Sequence, residues 1–113
     1  MSVKETVAYL LDLRARNVTV ESLPLELAPK SLAAAYAAQD QLVDKLCGLW
    51  GGERAGYKIA LTSAMAQSLT AIDHPVFGRI ISSRVYASGT ALPANLFTTR
   101  VVESEFAFTI GHD

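Results

Sequence analysis

At 113 residues, half of them hydrophobic, and with a formal net charge of -1, the chain has the length for one small core. Its acids and bases are interspersed rather than blocked, which excludes the electrostatic footprint of a nucleic-acid binder and the basic face of a membrane-surface protein. The one cysteine, Cys47, excludes an internal disulfide framework and sits in an apolar helical pattern, where a small buried thiol is expected.

The N-terminal residues Met1 to Glu5 lack the apolar stretch of a secretory signal, and no apolar run approaches the ~18 residues of a membrane span. A cytoplasmic location is expected. From Val3 to Arg16 the apolar residues Val7, Leu10, Leu11 and Ala15 recur at helical spacing, and Arg14 and Arg16 suit the helix C-terminus. Pro24 and Pro29 make Asn17 to Lys30 an irregular connection.

Ser31 is the expected N-cap of a second helix running to Leu46, with Leu32, Ala35, Tyr36, Gln39, Leu42, Val43 and Leu46 in one stripe. Gly48, Gly51 and Gly52 are expected to stop it. A short strand follows over Ala55 to Leu61, placing Tyr57, Ile59 and Leu61 on one face and Gly56, Lys58 and Ala60 on the other. Thr62-Ser63 can cap a short helix over Ala64 to Leu69. Asp73-His74-Pro75 and Gly78 indicate a turn, and Arg79 to Tyr86 reads as strand. The last strand, Val101 to Ile110, has the clearest alternation: Val102, Phe106, Phe108 and Ile110 against Glu103, Glu105, Ala107 and Thr109.

Three groups of residues can carry chemistry. Two apart on a strand, Glu103 and Glu105 point the same way with their roots roughly 7 Å apart, so both carboxylates can reach one ion. Hard oxygen ligands suit Mg²⁺, Mn²⁺ or Ca²⁺ and leave positions for water or substrate oxygens. Two solvated acids on an exposed strand would give the same spacing. Lys58 lies between Gly56 and Ala60, which leave room for a small anion beside the ammonium, although an exposed lysine on an edge strand fits the spacing equally well. Thr62 and Ser63 offer hydroxyls at a helix start, where capping accounts for them too. His74 and His112 have no partner at metal-ligand spacing, and no phosphate loop, dinucleotide fingerprint or nucleophile elbow is present.

Taken in order, Ala35-Tyr36-Ala37-Ala38-Gln39, Gly56-Tyr57-Lys58-Ile59-Ala60-Leu61-Thr62-Ser63, Pro75-Val76-Phe77-Gly78 and Val102-Glu103-Ser104-Glu105-Phe106-Ala107-Phe108 resemble the 2-keto-4-pentenoate hydratase family, within the fumarylacetoacetate hydrolase superfamily. The resemblance runs from the second helix to the last residue. It implies an α+β fold, with a helical N-terminal region (1–54) leading into the beginning of a mixed, mainly antiparallel catalytic β-roll (55–113), in a homo-oligomer. It implies a Mg²⁺ or Mn²⁺ ion held by Glu103, Glu105 and a third acid beyond Asp113, a catalytic Lys58 handling substrate and proton, and a substrate pocket lined by Leu61, Thr62 and Ser63. One departure concerns Arg100: relatives with a P-R-I-E run place the arginine one position nearer the glutamate, so no arginine role is carried over.

The implied chemistry is addition of water to a 2-hydroxy-dienoate or unsaturated 2-oxo acid, giving a 4-hydroxy-2-oxo acid in aromatic-compound catabolism. The same enolate serves a decarboxylase of the 4-oxalocrotonate type or an acylpyruvate-type C–C hydrolase, and residues up to Asp113 do not separate the three. A different class of reading is a non-catalytic fragment or degenerate paralogue that only packs or associates, since an uncovered β-edge favours association.

Overall fold

A helix starts at Val3 because the backbone N–H of Ser2, which has no helical partner, donates to the Glu5 carboxylate at 3.0 Å. In the computed structural model, which describes residues 2–112, this helix, α1 (Val3–Arg16), ends where Asn17 takes a left-handed conformation. The irregular segment after it is tied back by the buried Thr6 hydroxyl, which donates to the Leu27 carbonyl at 2.7 Å. Helix α2 (Leu32–Trp50) opens on Ser31, whose Oγ accepts from the Ala34 N–H at 3.1 Å.

Helix α2 continues four residues beyond the expected Leu46 and carries Gly48 in its last turns; only Gly51 caps it. A mid-helix glycine costs about 1 kcal/mol. That cost is offset because Leu46, Cys47 and Trp50 on either side of it pack into the core. Gly52 is required for another reason. Its φ is 90°, and a Cβ there would lie 2.7 Å from the Ser82 Oγ, where Glu53 and Ser82 join by hydrogen bonds of 2.8 and 2.9 Å.

Two strands form an antiparallel pair: β1 (Arg54–Ala60) and β2 (Val76–Ile81), with α3 (Ala64–Thr70) between them in sequence. β1 ends one residue before the expected boundary, because Leu61 takes a φ of 57° and leaves the ladder. β2 begins and ends earlier than the pattern of Arg79 to Tyr86 suggests. Gly78 is inside the strand, opposite Lys58, and not in a turn; residues Ser82–Arg84 curl into a single 3-10 turn.

The predicted strand from Val101 to Ile110 does not form. A strand exists only through its ladder, and among the described residues none pairs with this segment. Its alternating apolar residues Val102, Phe106, Phe108 and Ile110 are exposed. The α+β class therefore stands with three helices and a two-stranded sheet. No helix of the described residues is long and apolar enough to cross a membrane.

The core is a wedge between helices and sheet. Val43 and Leu46 of α2 bury against Ile81 of β2, with Leu11, Leu42, Cys47 and Trp50 packed around them. Further along, Tyr36 stacks on Phe77 with ring centroids 4.4 Å apart, and its hydroxyl accepts from the Phe77 N–H. Arg54 reaches from β1 to Asp40 and Asp44 at 3.0 and 2.8 Å. These contacts seat the strand pair on α2 and orient the faces of β1. The face bearing Gly56, Lys58 and Ala60 is the more covered one, and Tyr57 and Ile59 are more than half exposed. Hydrophobicity alone would have assigned the faces the other way.

Candidate active site

Lys58 leaves the covered face of β1 in a space kept open by small residues. Gly56 and Ala60 flank it along the strand, and Gly78 stands directly across the ladder. Opposed residues of an antiparallel pair project to the same face, so Gly78 and Lys58 share one. A Cβ built there meets only the Gln39 Oε1, at 3.8 Å. The Gln39 Nε2 is buried without a hydrogen-bond partner.

Into this space come Glu103 and Glu105. The Lys58 ammonium lies 3.3 Å from the Glu103 Oε2 and is hydrogen-bonded to the Glu105 Oε1. The two carboxylates reach one cationic group without the expected strand. Glu105 lies 47 positions along the chain from the lysine, and an ammonium between two carboxylates holds the distant segments together. The hydrogen bond to Glu105 chiefly, then those to Glu103, raises the Lys58 pKa, with desolvation acting against them. The raised pKa keeps the side chain an ammonium, the form that can donate a proton or pair with an anion. All three side chains are 41 to 59% exposed, so the trio is open to a small molecule.

Because both carboxylates meet one ammonium, both can reach one cation. That fits a hard divalent ion as far as two oxygen ligands go. No cluster of three or more His, Cys, Asp and Glu residues exists among the described residues, so the pair is the whole of the carboxylate set they supply.

The other predicted site residues share no hydrogen bond with the trio among the described residues. The Leu61 carbonyl accepts from the Gln67 Nε2 at 2.8 Å, and the Ser63 Oγ accepts from the Ala66 N–H at 3.2 Å as the N-cap of α3. Capping uses an acceptor lone pair of Ser63 and leaves its hydroxyl proton free. Thr62 is exposed, and no hydrogen bond ties Thr62 or Ser63 to Lys58 among the described residues. His74 pairs with Asp73 at 3.0 Å, which lowers the Asp73 pKa; the pair is on the α3–β2 turn. Two features went unread in the sequence: Gly78 as part of the site floor, and Gln39 beside it. The first was hidden by its turn-like composition, the second by lying on a helix stripe otherwise given to the core.

The 2-keto-4-pentenoate hydratase of Burkholderia vietnamiensis is 30% identical to the chain over 112 residues, 99% of the chain and 42% of that protein. A 2-keto-4-pentenoate hydratase of Pseudomonas putida is 30% identical over 79 residues, covering 70% of the chain and 29% of its own length. The chain is thus similar, at about 30% identity, to part of several 2-keto-4-pentenoate hydratases. The 2-oxo-hept-4-ene-1,7-dioate hydratase of Escherichia coli extends the kinship, at 28% identity over 80% of the chain and 34% of that protein. The chain thus spans less than half the length of the curated relatives it matches. No family model and no solved structure matches it.

Proposed function

We propose that Lys58, Glu103 and Glu105 form part of the active site of a hydratase that adds water to an unsaturated 2-oxo acid or its 2-hydroxy-dienoate form. The observation that carries this reading is the meeting of two carboxylates with one ammonium, on a strand where Gly56 and Ala60 flank the lysine and Gly78 is its ladder partner. The relatives' names supply the substrate class: 2-keto-4-pentenoate and 2-oxo-hept-4-ene-1,7-dioate.

Glu103 and Glu105 would hold a Mg²⁺ or Mn²⁺ ion, together with a third acid from outside the described residues. Such an ion supplies polarisation of the substrate's 2-oxo oxygen, which favours the enolate form. The Lys58 ammonium attracts the C1 carboxylate and delivers a proton to the conjugated chain. In balance, a 2-hydroxy-2,4-dienoate gains a proton at its far carbon and loses its enol proton. Water then adds its oxygen at C4 and a proton at C3. Thr62 and Ser63 offer hydroxyl donors just beyond β1, and Leu61 an apolar wall. The Gly56, Ala60 and Gly78 floor suits a slender unbranched substrate.

The same reading includes the wider architecture: residues 1–54 as the helical region of a homo-oligomeric, cytoplasmic enzyme, and 55–113 as the start of a rolled catalytic sheet. The test uses the active protein carrying these residues. Glu103→Gln and Glu105→Gln should each abolish Mg²⁺- or Mn²⁺-dependent formation of a 4-hydroxy-2-oxo acid from a 2-hydroxy-dienoate, with the far-UV circular dichroism retained. Full turnover in either variant sinks the assignment. Evolution of CO₂ from an oxalocrotonate in place of hydration would select the decarboxylase.

A further inference from the structure

We propose that the groove bordered by the C-terminal ends of α1 and α2 is a second ligand site, built for an organic monocarboxylate with a planar aromatic body. The groove has a volume of about 470 Å³ and is lined by Arg14, Trp50, Arg84, Tyr86 and Phe97, with no acidic residue in its wall. That volume is within the range of small-molecule sites, and Lys58, Glu103 and Glu105 have no part in it.

Charge selects the sign of the occupant. Three other cations of the chain have carboxylates within reach, Arg16 with Asp12, Arg54 with Asp40 and Asp44, and Lys58 with Glu103 and Glu105, whereas Lys4, Lys30, Lys45, Arg79 and Arg100 pair with none among the described residues. Arg14 and Arg84 line the groove and make no salt bridge among the described residues. The helix ends act against them, because each C-terminus carries about half a negative charge. Two guanidiniums exceed that by about one charge, which a single carboxylate balances.

Geometry selects the rest. The Arg84 guanidinium lies over the Trp50 ring, 4.1 Å from its centroid. A guanidinium over an aromatic face can keep its N–H fork free, and that fork takes a carboxylate through two parallel hydrogen bonds. Beside it Tyr86 and Phe97 are about 40% exposed, leaving ring faces open to an aromatic body. An aliphatic acid would satisfy the arginines and leave those rings in water.

Trp50 is the single tryptophan, so its emission reports directly on the groove. Titration with benzoate should give a saturable change, matched by calorimetry. Benzamide, of the same shape without the charge, and acetate, with the charge and no ring, should each bind at least tenfold more weakly. Arg84→Gln and Arg14→Gln should each weaken benzoate about tenfold, and Arg84→Lys, which keeps the charge and loses the fork, should weaken it also. Lys58→Met should leave it unchanged, which separates this groove from the site of the proposed reaction. Arg14 is on the exposed face of α1, so its variant keeps the test valid if the Arg84 variants fail to fold. Absence of saturable binding, benzamide or acetate binding as tightly as benzoate, or undiminished affinity in Arg14→Gln overturns the proposal.

Discussion

Replacing Ile81 by Ala should unfasten the strand pair that carries Lys58, and the cost can be worked from burial. Ile81 is 5% exposed and closes the cluster with Val43 and Leu46. Removing a nearly buried isoleucine side chain costs about 2–5 kcal/mol, transfer and cavity together. No side chain among the described residues is less than 2% exposed, so neighbours can relax into the space and the lower end applies, about 2–3 kcal/mol. For a chain of this size that is a fall of roughly 8–12 °C in melting temperature. Ile59, in the same sheet and 51% exposed, is the matched control. Ile59→Ala should cost about 1 kcal/mol or less. Urea unfolding followed by Trp50 fluorescence measures both, since Trp50 packs on the same cluster. The m-value should not change. Equal losses in the two variants would refute the assignment of inner and outer faces of the sheet.

Ser31→Ala removes the cap of α2 and should cost about 1 kcal/mol in the same assay, with Ser31→Asp retaining most of it; a neutral Ser31→Ala would mean the cap bond at 3.1 Å contributes nothing. The Glu5 pKa is lowered, first by the hydrogen bond from the Ser2 backbone N–H, so its folded value is below its ordinary one. Its contribution to α1 is therefore present above about pH 4.5 and lost as pH falls through the folded value. The Ser2 amide resonance should titrate with a midpoint below 4.5, and a midpoint at or above it contradicts the contact. Lys58→Met should tighten Mn²⁺ binding at Glu103 and Glu105 several-fold in an electron paramagnetic resonance titration, because the ammonium no longer competes for the carboxylates. Weaker binding in that variant would show that lysine and ion do not share one location.

Local patterns carried much of the chain. The boundaries of α1, the cap at Ser31 and the cap at Ser63 follow from residues within one helical turn of each other, and the structure has them where the pattern has them. The strands were less legible, because a strand's limits depend on its partner. β2 starts at Val76, where Ala60 is available to pair, not at the Arg79 where its own composition turns strand-like. The segment from Val101 to Ile110 is the extreme case. Its alternation is the strongest in the chain, yet no ladder forms on it among the described residues.

The two glutamates and the lysine show the same division. By itself the sequence singled out the candidate groups: two carboxylates two positions apart, a lysine between small neighbours, and motifs that resemble those of a family of hydratases. Side-chain identity and short-range spacing are enough for that. Only the tertiary structure decided that the Lys58 face of β1 is the covered one, that Gly78 stands across the ladder from it, and that both glutamates meet one ammonium. Those facts depend on which face of a two-stranded sheet is seated on α2, through Tyr36, Asp40, Asp44 and Ile81. A period of two names two faces and does not say which is turned inward.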